Sequence, residues 1–199
     1  MPDVAIPDPA DLAIVTGGQD PSGLIALFEQ VFGHATTPAQ WGWKYGGPPG
    51  AMALHRVAVA TGLGGSAGQP WGHAGALVLS GLWGDRVVRV AHLMDVMVHP
   101  AVRGGMERGT VYARLMNSLA ADLVAVDPQI LAYGFPGRVP SRLGTRMGLY
   151  RELGAAIEHN AAAGVPLRQD WACQVSEVAW GHPSTKGWLQ RCCGPLPRS

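Results

Sequence analysis

The chain has 199 residues, of which 47% are hydrophobic and 15% charged, with a formal net charge of +1 at pH 7. We expect one globular domain over residues 1–199 with a full hydrophobic core, and extended or flexible ends at 1–11 and 181–199. The charge lacks the basic excess that is usual for nucleic-acid binding, so we expect no nucleic-acid partner.

The first part of the chain predicts a strand followed by two helices. Residues 12–16 are apolar and precede a glycine pair, which indicates a short strand. Residues 20–21, Asp-Pro, are typical of a helix start, and apolar residues then recur on one helical face up to Gly33. Thr37 followed by proline repeats this signature and predicts a second helix, which ends at the glycine- and proline-rich residues 46–50.

Period-two alternation then predicts antiparallel strands at 52–61, 71–83 and 86–98, with a hairpin at Gly84-Asp85 between the last two. A helix, a buried-type strand, another helix and two last strands follow, at 110–125, 129–135, 140–147, 150–161 and 168–180. Strand, helix and strand joined by a crossover imply a parallel pair, so we expect a mixed sheet.

Residues 95–109, DVMVHPAVRGGMERG, connect the last of these three strands to the long helix. The glycines allow backbone conformations in which successive N–H groups converge on an anion, and the helix N-terminus adds partial positive charge. Arg103 and Arg108 can supply fork-shaped donors. The loop has neither Lys-Ser/Thr after its glycines nor G-x-G-x-x-G, which excludes the common nucleotide loops. A pyrophosphate fits the pattern that remains.

This loop resembles the acetyl-CoA loop of the GNAT-type N-acetyltransferases, in which a strand ending V-x-P leads into x-x-R-G-x-G-x-G/A and a helix. The matching residues are Val98, Pro100, Arg103 and Gly104. Residues 106–108 precede Gly109, so the loop is longer than the common form and is similar to that of a subset of the family. The resemblance implies acetyl-CoA as acyl donor, bound by Met97, Val98, Arg103, Gly104, Gly105, Met106, Arg108, Gly109 and Thr110.

The resemblance also implies an α/β (α+β type) fold, with a mixed, mostly antiparallel central sheet of about seven strands, flanked by helices and splayed at the strand ending Val98. After the fifth strand the family has N-x-x-A-x-x-L-Y-x-x-x-G-F, in which the asparagine contacts the cofactor and the tyrosine is often a general acid. Leu143 and Gly148 fit this frame, whereas Gly137 and Gly144 replace the asparagine and the tyrosine. The tyrosine's role is therefore not carried over.

The stretch W-x-W-K-Y resembles the region that carries the acceptor site in several members of this family. The resemblance implies substrate contacts by Trp41, Trp43 and Tyr45. The alternative is that Trp41 and Tyr45, four residues apart on one helical face, pack in the core, and we favour it for at least one of these aromatics. A longer acyl group would need extra apolar room beside these residues and Met97.

Asp95 is the first candidate for the base that accepts the proton of the amine. It is a lone carboxylate in an apolar strand, where burial would raise its pKa. An equally weighted alternative is that Asp95 anchors a neighbouring loop through hydrogen bonds. Alternation places His99 on the face of Asp95 and His92 on the other face, so we name Asp95 and His99 as the catalytic residues. A backbone N–H near Val98 or His99 would polarise the thioester carbonyl.

Together these features predict a cytoplasmic N-acetyltransferase that moves an acetyl group from acetyl-CoA to a primary amine, by direct attack in a ternary complex. The acceptor is a small-molecule amine or a protein amine, and a homodimer is left open. We expect no metal, no signal peptide and no membrane span, because the metal-ligand spacings, the leader pattern and a run of about 18 apolar residues are all missing. The alternative function is a catalytically silent module that binds CoA or a protein, since Gly137 and Gly144 replace two family residues.

Overall fold

The computed structural model describes residues 6–17, 20–61, 69–104, 109–149 and 151. By its contacts the chain divides into two units, 1–150 and 151–199, and the architecture below belongs to the first. Its main elements are β1 (Leu12–Thr16), α1 (Ser22–Phe32), α2 (Pro38–Gly46), β2 (Met52–Ala60), β3 (Pro70–Trp83), β4 (Arg86–Val98), α3 (Val111–Val126), β5 (Leu131–Tyr133) and α4 (Arg138–Arg146). Short 3-10 turns precede β1 at Pro9–Asp11 and follow β4 at Pro100–Val102.

The strands form one sheet in the order β1-β2-β3-β4-β5. Strands β1 to β4 pair antiparallel, and β5 pairs parallel with β4 after the crossover through α3. The expectation of a mixed, mostly antiparallel sheet flanked by helices is therefore confirmed. The described residues form five strands, and the two strands expected at 150–161 and 168–180 lie outside the described residues apart from Arg151. A seven-stranded sheet and a single domain over residues 1–199 stay predictions.

Small residues on the central strands let α3 approach one face of the sheet closely. The buried alanines of that face are Ala58, Ala74, Ala76 and Ala91. At Gly72 an added Cβ would lie 2.8 Å from Cδ1 of Leu115 on α3, so this approach requires glycine. The other face is covered by α1 and α2, whose core residues Leu24, Leu27, Phe28 and Trp41 pack with Val57 and Met97.

Two helices, α2 and α3, begin at threonines whose side chains cap them, and the sequence predicts the one at Thr37. The helix start predicted at 20–21 lies one residue early, since α1 begins at Ser22 and has no side-chain cap at Pro21. Thr37 and Gln40 form a capping box at α2: Thr37 Oγ1 accepts the Gln40 N–H at 3.2 Å, and Gln40 Oε1 accepts the Thr37 N–H at 2.9 Å. Thr110 Oγ1 accepts the N–H of Ala113 in the first turn of α3. Within the described ranges, no helix combines the length and apolar composition that a bilayer crossing requires.

Candidate active site

The sheet opens where β4 continues beyond its pairing with β5. The two strands pair from Val90 to His92, whereas β4 continues to Val98. Gly134, just after β5, still lies close, since an added Cβ there would stand 3.3 Å from the Leu93 carbonyl oxygen. Among the described residues, the edge of β4 from Leu93 to Val98 has no strand partner on this side. We refer to this opening as the β4–β5 gap.

A β-bulge in β4 lies along this gap. His73 pairs with Met97 and Gly75 with Met94, so Asp95 and Val96 together lie opposite a single residue of β3. Asp95 has a φ of +48°, and it is the one described non-glycine residue with a positive φ. Such a conformation costs about 1–3 kcal/mol and persists where surrounding contacts hold it.

Those contacts are made by both the side chain and the backbone of Asp95. Lys44 Nζ donates to the two carboxylate oxygens at 3.0 Å and 3.1 Å, and the Tyr45 hydroxyl donates to Oδ2 at 2.9 Å. The Asp95 carbonyl oxygen accepts from His73 Nδ1 at 2.8 Å. The carboxylate is therefore paired, because α2 brings Lys44 and Tyr45 to it. The carboxylate links α2 to β4, as in the anchoring alternative.

The bulge also changes which residues of β4 share a face. Met94 and Met97 pack in the core with α1 and α2, whereas Leu93, Val96 and Val98 pack on the α3 side. Alternation predicted that His92 and Asp95 lie on different faces of β4. The extra residue at Asp95 breaks the simple alternation, so this prediction is wrong. Burial lowers the pKa of His92, and the Asp95 carboxylate partly opposes this shift.

His99 is used differently from the prediction that paired it with Asp95. Its backbone N–H donates to the Trp71 carbonyl oxygen at 2.8 Å, and its Nδ1 accepts from the Ala101 N–H at 3.2 Å. Burial and the neighbouring Arg103 lower the pKa of the ring. None of the hydrogen bonds and ion pairs found among the described residues joins His99 to Asp95. The sequence predicted that the N–H of Val98 or His99 polarises the thioester carbonyl. The His99 N–H is bonded to β3, so by alternation the Val98 N–H faces the gap.

Two histidines that the sequence analysis did not single out continue the polar contacts of Asp95. His73 is fully buried, and its Nε2 lies 3.0 Å from Nδ1 of His55. Burial lowers the pKa of both rings, that of His73 to about 4. The signal that could have found them is a histidine at inward positions of two neighbouring apolar strands. Within the described part of the chain, no group of three or more His, Cys, Asp or Glu side chains could hold a metal ion.

The three aromatic residues predicted to bind the acceptor lie in different surroundings. Trp41 is buried with Phe28 and Tyr45 in the core beneath α1 and α2. Tyr45 is also buried, and burial together with the Asp95 carboxylate raises the pKa of its hydroxyl. Trp43 is 84% exposed. Trp41 therefore packs in the core, as in the alternative above, and Met97 is buried in the same cluster.

The described part of the predicted phosphate loop lies between the turn after β4 and the start of α3. Arg103 is exposed, and its Nε donates to the Val98 carbonyl oxygen at 2.8 Å. At Gly104 and Gly109 an added Cβ would have no atom within 4 Å. Thr110 is the N-cap of α3. The other predicted cofactor-binding residues of the loop, Gly105, Met106 and Arg108, lie outside the described residues.

The two faces of the sheet differ beside the β4–β5 gap. On the α3 face a cavity of about 200 Å³ is lined mostly by apolar side chains, with Asn117 as the polar one; the other lining residues are Leu93, Met116, Leu119, Ala120, Leu123, Ala132, Gly148 and Leu149. On the opposite face the His92 and Tyr133 rings stack with centroids 5.0 Å apart. The Phe135 ring, 69% exposed, lies edge-on to both. An apolar cavity on one face and an aromatic rim on the other therefore lie beside the gap.

Both glycines that replace the asparagine and the tyrosine of the family frame belong to α4, the helix after β5, or to its N-cap. Gly137 is the N-cap of α4 and makes no side-chain cap, and Gly144 is buried within the helix. Leu149 packs with the core on the α3 side. Neither position can supply the amide or the hydroxyl that the resemblance places there.

Comparison with solved structures agrees with this architecture. The structure superposes on an acetyltransferase from Trypanosoma brucei with a TM-score of 0.56, at 14% identity, over 76% of this chain and 100% of the other. An aminoglycoside 6'-N-acetyltransferase from Acinetobacter baumannii gives 0.54 at 13% identity, over 77% and 99%. A putative acetyl transferase from Pyrococcus furiosus gives 0.53 at 13% identity, over 75% and 99%.

No protein-family model matches the chain, and no curated protein sequence does. At these identities the likeness concerns the fold alone. The chain has the fold of the GNAT-type N-acetyltransferases.

Proposed function

We propose that the chain is an N-acyltransferase that moves an acetyl group from acetyl-CoA to a primary amine by direct attack in a ternary complex. The observation that carries the proposal is the strained bulge at Asp95, which lies beside the β4–β5 gap. The proposed phosphate loop follows the end of β4. Backbone strain of this kind is concentrated at functional sites. The fold and the loop sequence supply the reaction class.

The donor would be held by backbone groups and by the start of α3. Gly109 and Thr110 lead into that helix, where unsatisfied N–H groups favour an anionic pyrophosphate, and Arg103 and Gly104 begin the proposed loop. Gly105, Met106 and Arg108 complete the proposed loop. The side chain of Met97 is buried in the core, so it is not available to the donor. The apolar cavity beside α3 is suited to the uncharged arm that joins the pyrophosphate to the thioester.

The reaction requires a neutral amine at about 3 Å from the thioester carbon and stabilisation of the oxyanion that forms. The amine nitrogen attacks the carbonyl carbon, a C–N bond forms, the C–S bond breaks, and the CoA thiolate leaves. Backbone N–H groups on the gap side of β4, at Val96 and Val98, would donate to the oxyanion. Because Gly144 has no hydroxyl, the thiolate would take its proton from water.

His92 is the proton acceptor that the geometry favours. It lies at the last pair between β4 and β5, on the aromatic rim of the gap, and its half-buried ring favours the neutral form. Asp95 is less suited, because its two oxygens already accept bonds from Lys44 and Tyr45. We therefore assign Asp95 the anchoring role. His99 stays a predicted alternative that would act only if its bond to Ala101 were released.

The acceptor remains a proposal at the level of its class, a small-molecule amine or a protein amine, and so do a cytoplasmic location and a homodimer. A second function, a catalytically silent module, is favoured by Gly137 and Gly144, which lack the groups that the family frame supplies. The two functions differ in whether acetyl-CoA is consumed.

The experiment is thermal unfolding of the full chain with and without CoA and acetyl-CoA at about 1 mM, because a ligand at a hundredfold over its Kd stabilises by about 2.7 kcal/mol. We expect both to raise Tm by several degrees, and thiol release to appear on screening amines with acetyl-CoA. Stabilisation without thiol release from any amine would favour the silent module. No stabilisation by either ligand would contradict both CoA-binding functions.

A further inference from the structure

We propose that His73 is a positioning residue, which turns the peptide between Asp95 and Val96 so that the Val96 N–H faces the β4–β5 gap. The catalytic meaning of this inference rests on the proposed acyl transfer, in which that N–H would donate to the oxyanion. The orientation of the peptide itself does not depend on the proposed function and is tested separately below.

The first step concerns the protons of the two histidines. A carbonyl oxygen can only accept, so the proton between His73 and the Asp95 carbonyl lies on His73 Nδ1. In the neutral ring His73 Nε2 is then an acceptor, and the proton of the second contact lies on His55 Nδ1. His55 thus donates a hydrogen bond to His73, and His73 donates one to the backbone carbonyl of Asp95. His55 therefore determines the tautomer with which His73 holds the bulge.

The second step concerns the direction of the peptide. His73 lies on β3, and its ring stands on the face covered by α1 and α2, 5.7 Å from the Trp41 ring. The Asp95 carbonyl therefore points towards β3 and that face. In a trans peptide the following N–H points the opposite way, away from β3 and towards the α3 side. For Val96 this direction is the β4–β5 gap, on the side of the apolar cavity.

The pairing beyond the bulge agrees with this direction. The His99 N–H donates to Trp71 of β3, so alternation directs the Met97 N–H to β3 as well and the Val98 N–H to the gap. The Val98 carbonyl, on the gap side, is taken by Arg103. Val96 and Val98 thus present two N–H groups along the same edge of β4.

The third step concerns what keeps the peptide in place. Asp95 has a positive φ, which an aspartate adopts at a cost and only when its surroundings require it. The hydrogen bonds from Lys44 and Tyr45 go to the carboxylate of the side chain. Among the described residues, the only bond to the Asp95 carbonyl oxygen from outside the strand ladder comes from His73. Without it the peptide can rotate while the side chain stays anchored.

Two substitutions at one site separate this role from simple packing. In His73→Asn the amide nitrogen takes the place of Nδ1 and can still donate to the Asp95 carbonyl. In His73→Gln the amide takes the place of Nε2 and reaches His55 instead. Both leave part of the ring volume unfilled, so both should lower Tm. Turnover should differ, with kcat of His73→Asn at least about tenfold above that of His73→Gln and the KM for acetyl-CoA similar, since one lost oxyanion donor costs about 100-fold or more.

Equal kcat in the two variants, with both folded, would overturn the proposal. In case neither variant folds, the wild-type protein offers a direct measurement: the ¹⁵N chemical shifts of the His73 ring. We expect the neutral Nδ1–H tautomer, and the Nε2–H tautomer would overturn the inference. This measurement needs no cofactor and no acceptor. If wild-type protein binds no CoA and shows no turnover, the proposed function fails, while the ring tautomer and the φ of Asp95 in crystals of the two variants still decide the role of His73.

Discussion

Lys44 Nζ lies 3.0 Å and 3.1 Å from the two carboxylate oxygens of Asp95, so an ion pair joins α2 to the bulge of β4. The Asp95 side chain is only 10% exposed, and the ammonium group also lies 5.0 Å from the centroid of the Phe28 ring. Charges in such surroundings are screened less by salt than exposed pairs. The pair therefore links the helices of one face to the strained residue beside the gap.

Replacing Lys44 by methionine should lower the free energy of unfolding by about 2 kcal/mol, because the nearly buried carboxylate loses a charged hydrogen-bond donor. Urea denaturation measures the change. Arg89→Met is the control, since Arg89 is an exposed cation of β4 for which no shift of this size is expected. An equal effect of both substitutions would show that the ion pair contributes nothing specific.

Substitutions at Asp95 should separate the carboxylate from the backbone strain. Asparagine tolerates a left-handed conformation better than alanine does, so Asp95→Ala should be less stable than Asp95→Asn by about 1 kcal/mol. Both should lower turnover and spare CoA affinity, because each loses the ion pair with Lys44. Titration calorimetry gives the CoA affinity, rate measurements at saturating acetyl-CoA give the turnover, and urea denaturation gives the difference in stability. Wild-type turnover in Asp95→Asn would show that the ion pair with Lys44 is not needed to hold the site.

Arg103→Ala should weaken CoA binding about tenfold, because it removes a charge-assisted donor from the proposed pyrophosphate site. Arg103 is exposed, so Tm without ligand should change little. Titration calorimetry with CoA measures the effect, and Arg89→Ala supplies a matched loss of one exposed arginine. Unchanged affinity in Arg103→Ala would contradict the assignment of the loop.

The pH dependence of turnover should report His92. Burial lowers the pKa of this ring from 6.5, so the ring is neutral at pH 7 and becomes protonated only at more acidic pH. As proton acceptor it must be neutral, and kcat/KM should therefore be level above pH 6.5 and fall as the pH drops below it. In His92→Gln the remaining rate should be low and should lose this acid limb. An acid limb that persists unchanged in the variant would assign the titration to another group.

His73 should make the stability of the fold depend on pH. Burial lowers its pKa from 6.5 to about 4, so between these values the unfolded chain binds a proton that the native protein does not. Stability from this group is complete above pH 6.5 and is lost as the pH falls towards 4, by about 2 kcal/mol between pH 7 and pH 5. Urea denaturation at both pH values should show a fall that is smaller by this amount in His73→Asn. Parallel behaviour of the two proteins would mean that His73 is not held neutral.

The sequence predicted the order of the elements because its signals are local. Thr37 caps α2, the Gly84-Asp85 turn closes the hairpin, and Thr110 starts α3, each through contacts with residues a few positions away. The apolar run at 12–16 predicted β1, alternation predicted the antiparallel strands β2 to β4, and the crossover rule predicted the parallel β5. These features depend on backbone geometry and on side chains close in the sequence, so they can be recognised from the order of the residues.

The site could be predicted only in part, since its chemistry depends on contacts across the fold. The sequence identified Asp95 as a candidate base or anchoring residue, but it could not identify the partners of Asp95. Lys44 and Tyr45 stand about 50 positions earlier, and His73 lies on another strand. Alternation assigned His92 to the wrong face because a bulge inserts one residue, and nothing local in an apolar strand shows where it occurs.

By itself, then, the sequence determined the GNAT-like succession of strands and helices and the position of the glycine loop, because capping, turns and periodicity are short-range. Only the tertiary structure decided that Asp95 adopts a positive φ, that its carboxylate is paired with Lys44, and that His55 and His73 extend the contact to its carbonyl. A strained residue is stable only where distant groups satisfy its hydrogen bonds, and such groups meet only after the sheet and α2 have packed.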